Sequence, residues 1–239
     1  EQVEQVQPVL AQGLGLSRGE HRSDLAAHLG WADFLRSRDG VAAPNPVPMF
    51  KTALADDPGN VYAHAMWAHN LSWTTRELNE AVLEHFAAAA KSTRDRPWLR
   101  GIQFSVAFNR GAHYGYALVV ADQMRVAGET PDAGQRDQLW RYLVDGPLIQ
   151  PQERDDVLNR LPPDSALATF EWLYPAAQTV ADRQPLHRFT LALLRSRVGQ
   201  RDAARSDLES LHRQFVAEKM DSRLSRATAQ LLAELRKPA

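Results

Sequence analysis

Apolar side chains recur at steps of three and four residues along most of the chain. Leu25, Leu29, Ala32 and Leu35 follow this spacing after Ser23, a residue type that often caps the N-terminus of a helix. Such spacing places the four apolar side chains on one helical face. Nowhere does an alternation of apolar and polar residues favour a strand over a helix. The pattern therefore predicts an all-α protein.

Prolines and glycines divide this pattern into separate helices. Strong breaks lie at 56–60, 94–97, 128–132 and 199–202. Residues 1–22 are rich in glutamine and glycine, and they predict an N-terminal arm or linker with at most a short helix. The helices predicted after it cover about 23–38, 46–56, 61–73, 77–91, 98–109, 113–127, 135–144, 152–161, 165–174, 185–198, 202–218 and 222–235.

Helix pairs at a nearly constant period resemble the tetratricopeptide repeat (TPR), a helix hairpin of about 34 residues. The segment 78–89 is similar to a TPR second helix, with Ala81 and Ala88 as small crossing residues and His85 at an aromatic position. Ala53 precedes Ala88 by 35 positions, close to one repeat. Other positions that match the family pattern are Trp31, Ala32, Leu35, Phe50, Pro58, Trp67, Ala68, Leu71, Ala117, Gly199 and Ala204.

The resemblance implies a divergent, bacterial-type TPR solenoid of stacked antiparallel helix hairpins. It implies helix pairs over 23–132, followed over 133–239 by divergent helical repeats and a C-terminal capping helix, in one continuous solenoid. Pro46 stands where the family usually has alanine, and 135–181 fits no clean repeat, so this middle region is less regular. Stacked hairpins bury a continuous core and leave a concave groove. Members of the family usually bind a peptide or a helix in that groove.

Tyr62, His69 and Trp73 are the main candidate binding residues of the predicted groove. Their spacings of seven and four residues place them on one face of a helix. In the family this face lines the groove, and Ala65 belongs to it. The resemblance adds three candidates in the next hairpin, namely Arg100, Asn109 and Arg110.

Two alternatives bear on these residues. The family clamps chain-end carboxylates with lysine and asparagine, but Ala65 and His69 occupy those positions here, so binding of chaperone tails is not expected. Most of the six tryptophans are expected to pack inside the protein, with Trp67 on the packing side of its helix. Trp73 is expected either to anchor a bound chain or to pack at the hairpin turn.

Composition excludes several classes of function. Positive and negative residues nearly balance, with a formal net charge of −1, so no general field attracts nucleic acid or an anionic membrane. No apolar run approaches the ~20 residues of a membrane span. The chain has no cysteine, which excludes disulfides and cysteine-based zinc sites. We expect a protein or peptide partner, no nucleic acid, no membrane insertion and no cofactor.

No catalytic or metal-binding motif accompanies the helical pattern. His64 and His69 are five residues apart and lie on different helical faces, and neither His-Glu-x-x-His nor Gly-x-Ser-x-Gly occurs. The sequence thus predicts a scaffold, adaptor or assembly factor rather than an enzyme. Two other classes stay open: a helical enzyme using Glu171, Asp164 and His113, and the helical sensor domain of a regulator.

Two features bear on localisation. The chain lacks cysteine, and its first residue is glutamate rather than methionine. The first feature is common in an oxidising compartment, and the second is expected of a processed chain or of a fragment of a longer one. They favour the bacterial periplasm or envelope, with the cytoplasm as the alternative.

Overall fold

The computed structural model describes residues 2–91, 96–109, 113–129, 133–143 and 156–237. These residues form helices joined by turns and loops, and they contain no β-strand. The prediction of an all-α protein is confirmed. Within the same residues, no helix combines the length and the apolar character that crossing a membrane requires.

The chain divides into two compact units, residues 1–111 and residues 112–239. The helices described in unit 1 are α1 (Gln2–Leu16), α2 (Gly19–Arg38), α3 (Val47–Asp56), α4 (Val61–Thr75), α5 (Glu80–Ala90) and α6 (Pro97–Asn109). Those described in unit 2 are α7 (Tyr114–Val126), α8 (Ala133–Leu143), α9 (Pro163–Leu173), α10 (Gln184–Arg197), α11 (Arg201–Ala217) and α12 (Arg223–Arg236), with 3-10 helices at Ala176–Gln178 and Ala181–Arg183. Of the helix predicted over 152–161, residues 156–158 are helical and 152–155 lie outside the described residues.

Side chains at the helix ends explain where α4 and α5 begin. The side chain of Asn60 accepts the N–H of Ala63 at 2.8 Å, and that of Asn79 accepts the N–H of Val82 at 3.2 Å. These bonds satisfy backbone donors that a helix N-terminus leaves unpaired. α4 ends at Thr75, and the capping residue Arg76 that follows has a left-handed φ of 59°, which stops the helix.

Small residues bring the helices of unit 1 close together. α2 packs against α1, α3 and α4, while α4 also contacts α5 and α6. At Gly30 of α2, an added Cβ would lie 3.1 Å from Met49 Cβ and 3.2 Å from the carbonyl oxygen of Pro46, so only glycine fits without a shift. A cluster of four fully buried alanines fills the adjacent core: Ala26, Ala27, Ala53 and Ala63.

The first residues form a regular helix, α1, rather than the short helix or arm that was predicted. α1 is 15 residues long and packs against α2. Its Gln7 donates a hydrogen bond to the buried carboxylate of Asp33 and accepts one from Arg36. Burial raises the pKa of Asp33, and the Gln7 bond and the Arg36 charge act against that rise.

Ser23 does not begin a helix, so the predicted start of this element is wrong. α2 begins four residues earlier, at Gly19, and no side chain caps it. Ser23 is fully buried within α2. Its hydroxyl donates to the carbonyl oxygen of Ala53 at 2.8 Å and accepts from the amide of Asn60 at 2.8 Å. The serine therefore ties α2 to α3 and to the start of α4.

In α5, the small residues that the TPR resemblance assigns to helix crossings each lie one position before a buried residue. Ala81 is exposed and Ala88 is half-buried, whereas Val82, Phe86 and Ala89 are buried. These three buried residues follow steps of four and three, as one helical face requires. The prediction that Ala81 lies at a close helix crossing is wrong.

Unit 2 contains two of the predicted crossing residues in buried positions. Ala117 of α7 and Ala204 of α11 are both fully buried. Gly199 has a φ of 83° in the turn between α10 and α11, a conformation that glycine adopts at little cost. α10 packs against α9, α11 and α12, and α7 packs against α8 and α9.

Candidate functional site

Aromatic side chains from α2, α4 and α6 form a row across unit 1. His28 of α2 and Tyr62 of α4 have ring centres 4.1 Å apart, and Tyr62 lies 5.9 Å from Trp98 of α6. About one turn further along α2, Trp31 lies 5.2 Å from His69 of α4. We use the name aromatic strip for the set His28, Trp31, Tyr62, His69, Trp73 and Trp98.

The aromatic strip keeps part of its surface in contact with water. Trp73 is 37% exposed and Trp98 is 38% exposed, and His28 is exposed as well. Trp73 meets the buried Phe34 edge to face, with ring centres 6.1 Å apart and planes at 75°. Large aromatic side chains that stay partly exposed are the residue type most often found as anchors in protein interfaces.

Burial keeps the two titratable groups at one end of the strip in their neutral forms near pH 7. Burial raises the pKa of Tyr62 to about 12. The side of the His28 ring that packs against Tyr62 is shielded from water, which lowers the pKa of His28, although the nearby Asp24 carboxylate raises it in part. Between His28 and Trp98, the strip therefore offers a surface without a formal charge.

A polar cavity adjoins the strip at Tyr62. It has a volume of about 730 Å³ and lies at the start of α4. Its lining carries both signs of charge and is formed in part by Asp24, Asp57, Asn60, Tyr62, Lys91 and Arg96. An extended segment bound on the aromatic strip would thus have charged and hydrogen-bonding partners beside its apolar contacts.

The three main predicted residues lie on the side of α4 that meets α2. Tyr62 contacts His28, and His69 contacts both Trp31 and Phe34. Trp73 contacts Phe34, as His69 does, and lies at the end of the strip nearest the C-terminus of α4. Ala65, which was expected on the same open face, is fully buried.

The other predicted residues belong to the third helix of this row or follow it. Arg100 is half-buried in α6, two residues after Trp98. The side chain of Asn109, the last residue of α6, lies outside the described part of the structure. Arg110 lies outside it altogether.

Three members of the strip were not predicted to be binding residues. His28 was not considered, and Trp31 and Trp98 were expected to pack internally. One signal was present, because Trp98 follows Tyr62 by 36 positions, close to one repeat. The contact between Tyr62 and Trp98 is consistent with this spacing.

The opposite face of α4 packs inside unit 1. Trp67 stacks on Phe50 of α3, with planes at 14° and centres 6.2 Å apart, and lies 4.4 Å from the ring of His85 of α5. His64 Nδ1 lies 2.8 Å from His85 Nδ1, and His64 Nε2 lies 3.0 Å from the carbonyl oxygen of Pro58. We call Trp67, His64 and His85, with Phe50, the packing cluster.

The packing cluster has a defined proton arrangement. The carbonyl oxygen of Pro58 only accepts hydrogen bonds, so His64 Nε2 donates to it, and when both rings are neutral His64 Nδ1 accepts from His85 Nδ1. Burial and the neighbouring His64 lower the pKa of His85 to about 4. The prediction that His64 and His69 lie on different faces of one helix is confirmed, as is the internal packing of Trp67.

The residues considered for an enzyme occupy separate surroundings in unit 2. Glu171 is half exposed and lies 3.9 Å from Arg195, and Asp164 is exposed in the first turn of α9. His113 directly precedes α7 and makes no side-chain capping bond. Among the described residues, no group of three or more histidine, aspartate or glutamate side chains could hold a metal ion.

Comparison with models of protein families, with curated proteins and with solved structures finds no match for this chain.

Proposed function

We propose that unit 1 binds a peptide segment of a partner protein along the aromatic strip. The observation that carries this proposal is the row of six aromatic side chains on three helices, in which Trp73 and Trp98 stay more than a third exposed. Tryptophan contributes large contact area at low entropic cost and is enriched among residues that dominate binding energy. The protein acts in this proposal as a scaffold or adaptor rather than as an enzyme.

The helix contacts of unit 1 support a TPR-like basis for this surface. α2 contacts α3 and α4, and α4 contacts α5 and α6. In stacked hairpins, each first helix contacts its own second helix and the first helix of the next hairpin. The proposal therefore treats α2, α4 and α6 as successive first helices, whose shared side bears the strip.

The preferred segment has apolar or aromatic side chains for the strip and at least one charged group for the polar cavity. Tyr62 borders both surfaces, so a chain that passes over it reaches both. Asp24 and Asp57 can pair with a cation, and Lys91 and Arg96 with an anion. A segment without any apolar side chain lacks partners for Trp73 and Trp98, and it should not bind.

Selection from a library of random peptides of about a dozen residues tests the proposal, and the affinity of a selected peptide is then measured by fluorescence anisotropy. Trp73→Ala and Trp98→Ala should each weaken binding by ~2 kcal/mol, about 30-fold in Kd. Leu83→Ala is the matched control, because Leu83 of α5 is similarly exposed, at 39%, but lies outside the strip.

Two outcomes would contradict the proposal. One is a library that yields only peptides bound equally well by the wild type and by folded Trp73→Ala and Trp98→Ala variants. The other is an equal loss of affinity in Leu83→Ala, since that would assign binding to exposed apolar surface in general. Far-UV circular dichroism of each variant checks that the helices are intact.

A further inference from the structure

Unit 2 contains a cavity of about 200 Å³ between α8, α9 and the two 3-10 helices. Trp140 of α8 and Leu173 of α9 contribute apolar side chains that are each only 2% exposed. The polar part of the lining includes Arg136, Asp137, Gln178, Thr179 and Arg183. A closely packed apolar surface beside a few polar groups is typical of small-molecule sites.

Contacts within unit 2 hold the aromatic wall of this cavity in place. The hydroxyl of Tyr174 donates to the carbonyl oxygen of Arg136 at 2.9 Å. The ring of Tyr174 meets Trp140 edge to face, with centres 4.8 Å apart and planes at 82°. The guanidinium of Arg183 lies over the Trp140 ring, 5.4 Å from its centre. These contacts position the rings of Tyr174 and Trp140 in the absence of a ligand.

The two arginines of the cavity differ in their partners. Arg183 forms an ion pair with Asp137, so its charge is largely balanced within the cavity wall. Arg136 has Gln178 Oε1 at 3.4 Å, a long contact with a neutral group. Within the described residues, no carboxylate pairs with Arg136. The lining therefore carries one positive charge that a ligand can balance.

We propose that this cavity binds a small organic anion, namely a carboxylate attached to a compact apolar group. The carboxylate pairs with the guanidinium of Arg136, a geometry that arginine favours because two parallel N–H groups match two oxygens. The apolar group packs against Val180 of the cavity lining, which is 56% exposed. A volume of about 200 Å³ equals ~7 water molecules of the liquid and suits an acid with one ring.

Benzoate and benzamide are the probes that test the required charge, because they share one shape. Each is titrated into the full chain while the NMR signal of the Trp140 indole N–H is followed, with Trp140→Phe used to assign that signal. Benzoate should bind at least tenfold more tightly than benzamide, with a Kd of about a millimolar, as expected for so small a ligand. Equal affinities, or an unchanged Trp140 signal with both probes, would overturn the proposal.

Two variants test the site itself. Arg136→Gln keeps the backbone carbonyl that Tyr174 binds, and it should weaken benzoate binding at least tenfold while benzamide binding stays as it is. Ala133→Trp should abolish binding of both probes, because the exposed Ala133 stands at the cavity rim and a tryptophan there fills the opening. Arg205→Gln is the matched control, since Arg205 is an exposed arginine of α11 that pairs with Asp202.

The carboxylate has two possible sources, a free acid or the C-terminus of a chain. A tetrapeptide that ends in phenylalanine, tested with a free and with an amidated C-terminus, distinguishes them. Tighter binding of the free-ended peptide than of benzoate supports a chain end, and weaker binding supports a free acid. If neither Arg136→Gln nor Ala133→Trp changes benzoate binding, the anion binds elsewhere and the proposal is overturned. None of these results bears on the peptide surface of unit 1.

Discussion

Two tryptophans of α4, Trp67 and Trp73, each have a histidine within the preceding turn, yet they meet different surroundings. Trp67 belongs to the packing cluster, where it stacks on Phe50 and lies against His85. Trp73 belongs to the aromatic strip, where it meets Phe34 edge to face and remains 37% exposed.

In the proposed function, α4 contributes to stability on one side and to recognition on the other. In the packing cluster, rings of α3 and α5 already cover the faces of Trp67. In the strip, Trp73 and Trp98 keep uncovered ring surface that a partner can bury. Mutations on the first face should therefore act on folding, and mutations on the second should act on binding.

Trp67→Ala should have the largest effect on stability, about 3 kcal/mol, because it leaves a cavity between α3, α4 and α5. Trp67→Phe should cost much less, because it keeps a ring against Phe50 and removes the Nε1–H, which is buried without a hydrogen-bond partner. Trp73→Ala should cost less, about 1 kcal/mol, because the Trp73 side chain is already 37% exposed. Urea unfolding of the three variants measures the difference, and equal losses for Trp67→Ala and Trp73→Ala would remove the distinction between the faces.

Asn60→Ala should lower the stability of the packing cluster and of the aromatic strip together, because Asn60 caps the N-terminus of α4, the helix that both share. Its side chain caps α4 through Ala63 and also donates to Ser23 and Asp24. Loss of the cap and of two largely buried hydrogen bonds should cost about 2–3 kcal/mol. Asn79→Ala at the start of α5, which removes a cap, should cost about 1 kcal/mol. Thermal unfolding compares them, and an equal shift in Tm would mean that the Ser23 and Asp24 bonds contribute nothing.

The helices themselves could be predicted from local signals. The errors occur where a contact with a residue far away in the sequence determines the role of a side chain. The segment predicted at 61–73 is α4, Val61–Thr75, because its apolar spacing and its cap are both local. Ser23 resembles a cap in sequence, but its hydroxyl bonds to groups 30 and 37 residues away. The position of Ala81 was misjudged because alanines are frequent in α5, so their spacing alone does not distinguish one register from the next.

The candidate site was predictable to the extent that it lies on a single helix. Tyr62, His69 and Trp73 follow from spacing within α4. His28 and Trp98 join them only because α2 and α6 pack against α4 with those side chains towards it. The cavity of unit 2 could not be predicted, because Arg183 lies more than forty residues along the chain from Arg136 and Trp140.

The packing cluster should also lose stability in acid. The pKa of His85 is lowered to about 4 from its ordinary value of 6.5, so between these pH values the unfolded chain binds more protons than the folded one. The stability contribution is present above pH 6.5 and is lost as the pH falls towards 4. His85→Gln keeps a neutral donor for His64 and should flatten the pH dependence of unfolding over this range. His21→Gln replaces an exposed histidine of α2 and should leave the pH dependence of unfolding unchanged. Equal slopes in the two variants would exclude His85 as the cause.

The pKa of Tyr62 on the strip is shifted upwards, opposite to that of His85. This shift should have the smallest effect on the protein near neutral pH. Burial between His28 and Trp98 raises its pKa to about 12, from the ordinary value of 10. The folded state thus holds this proton more tightly, and the resulting stabilisation is complete below pH 10 and is lost as the pH rises towards 12. Subtracting the absorbance titration of Tyr62→Phe at 295 nm from that of the wild type isolates this residue, while circular dichroism verifies that both stay folded. A difference curve centred at pH 10 would show that Tyr62 is open to water. A curve centred near 12 means that Tyr62 stays neutral from pH 7 to 9, so peptide affinity should not vary through this residue over that range.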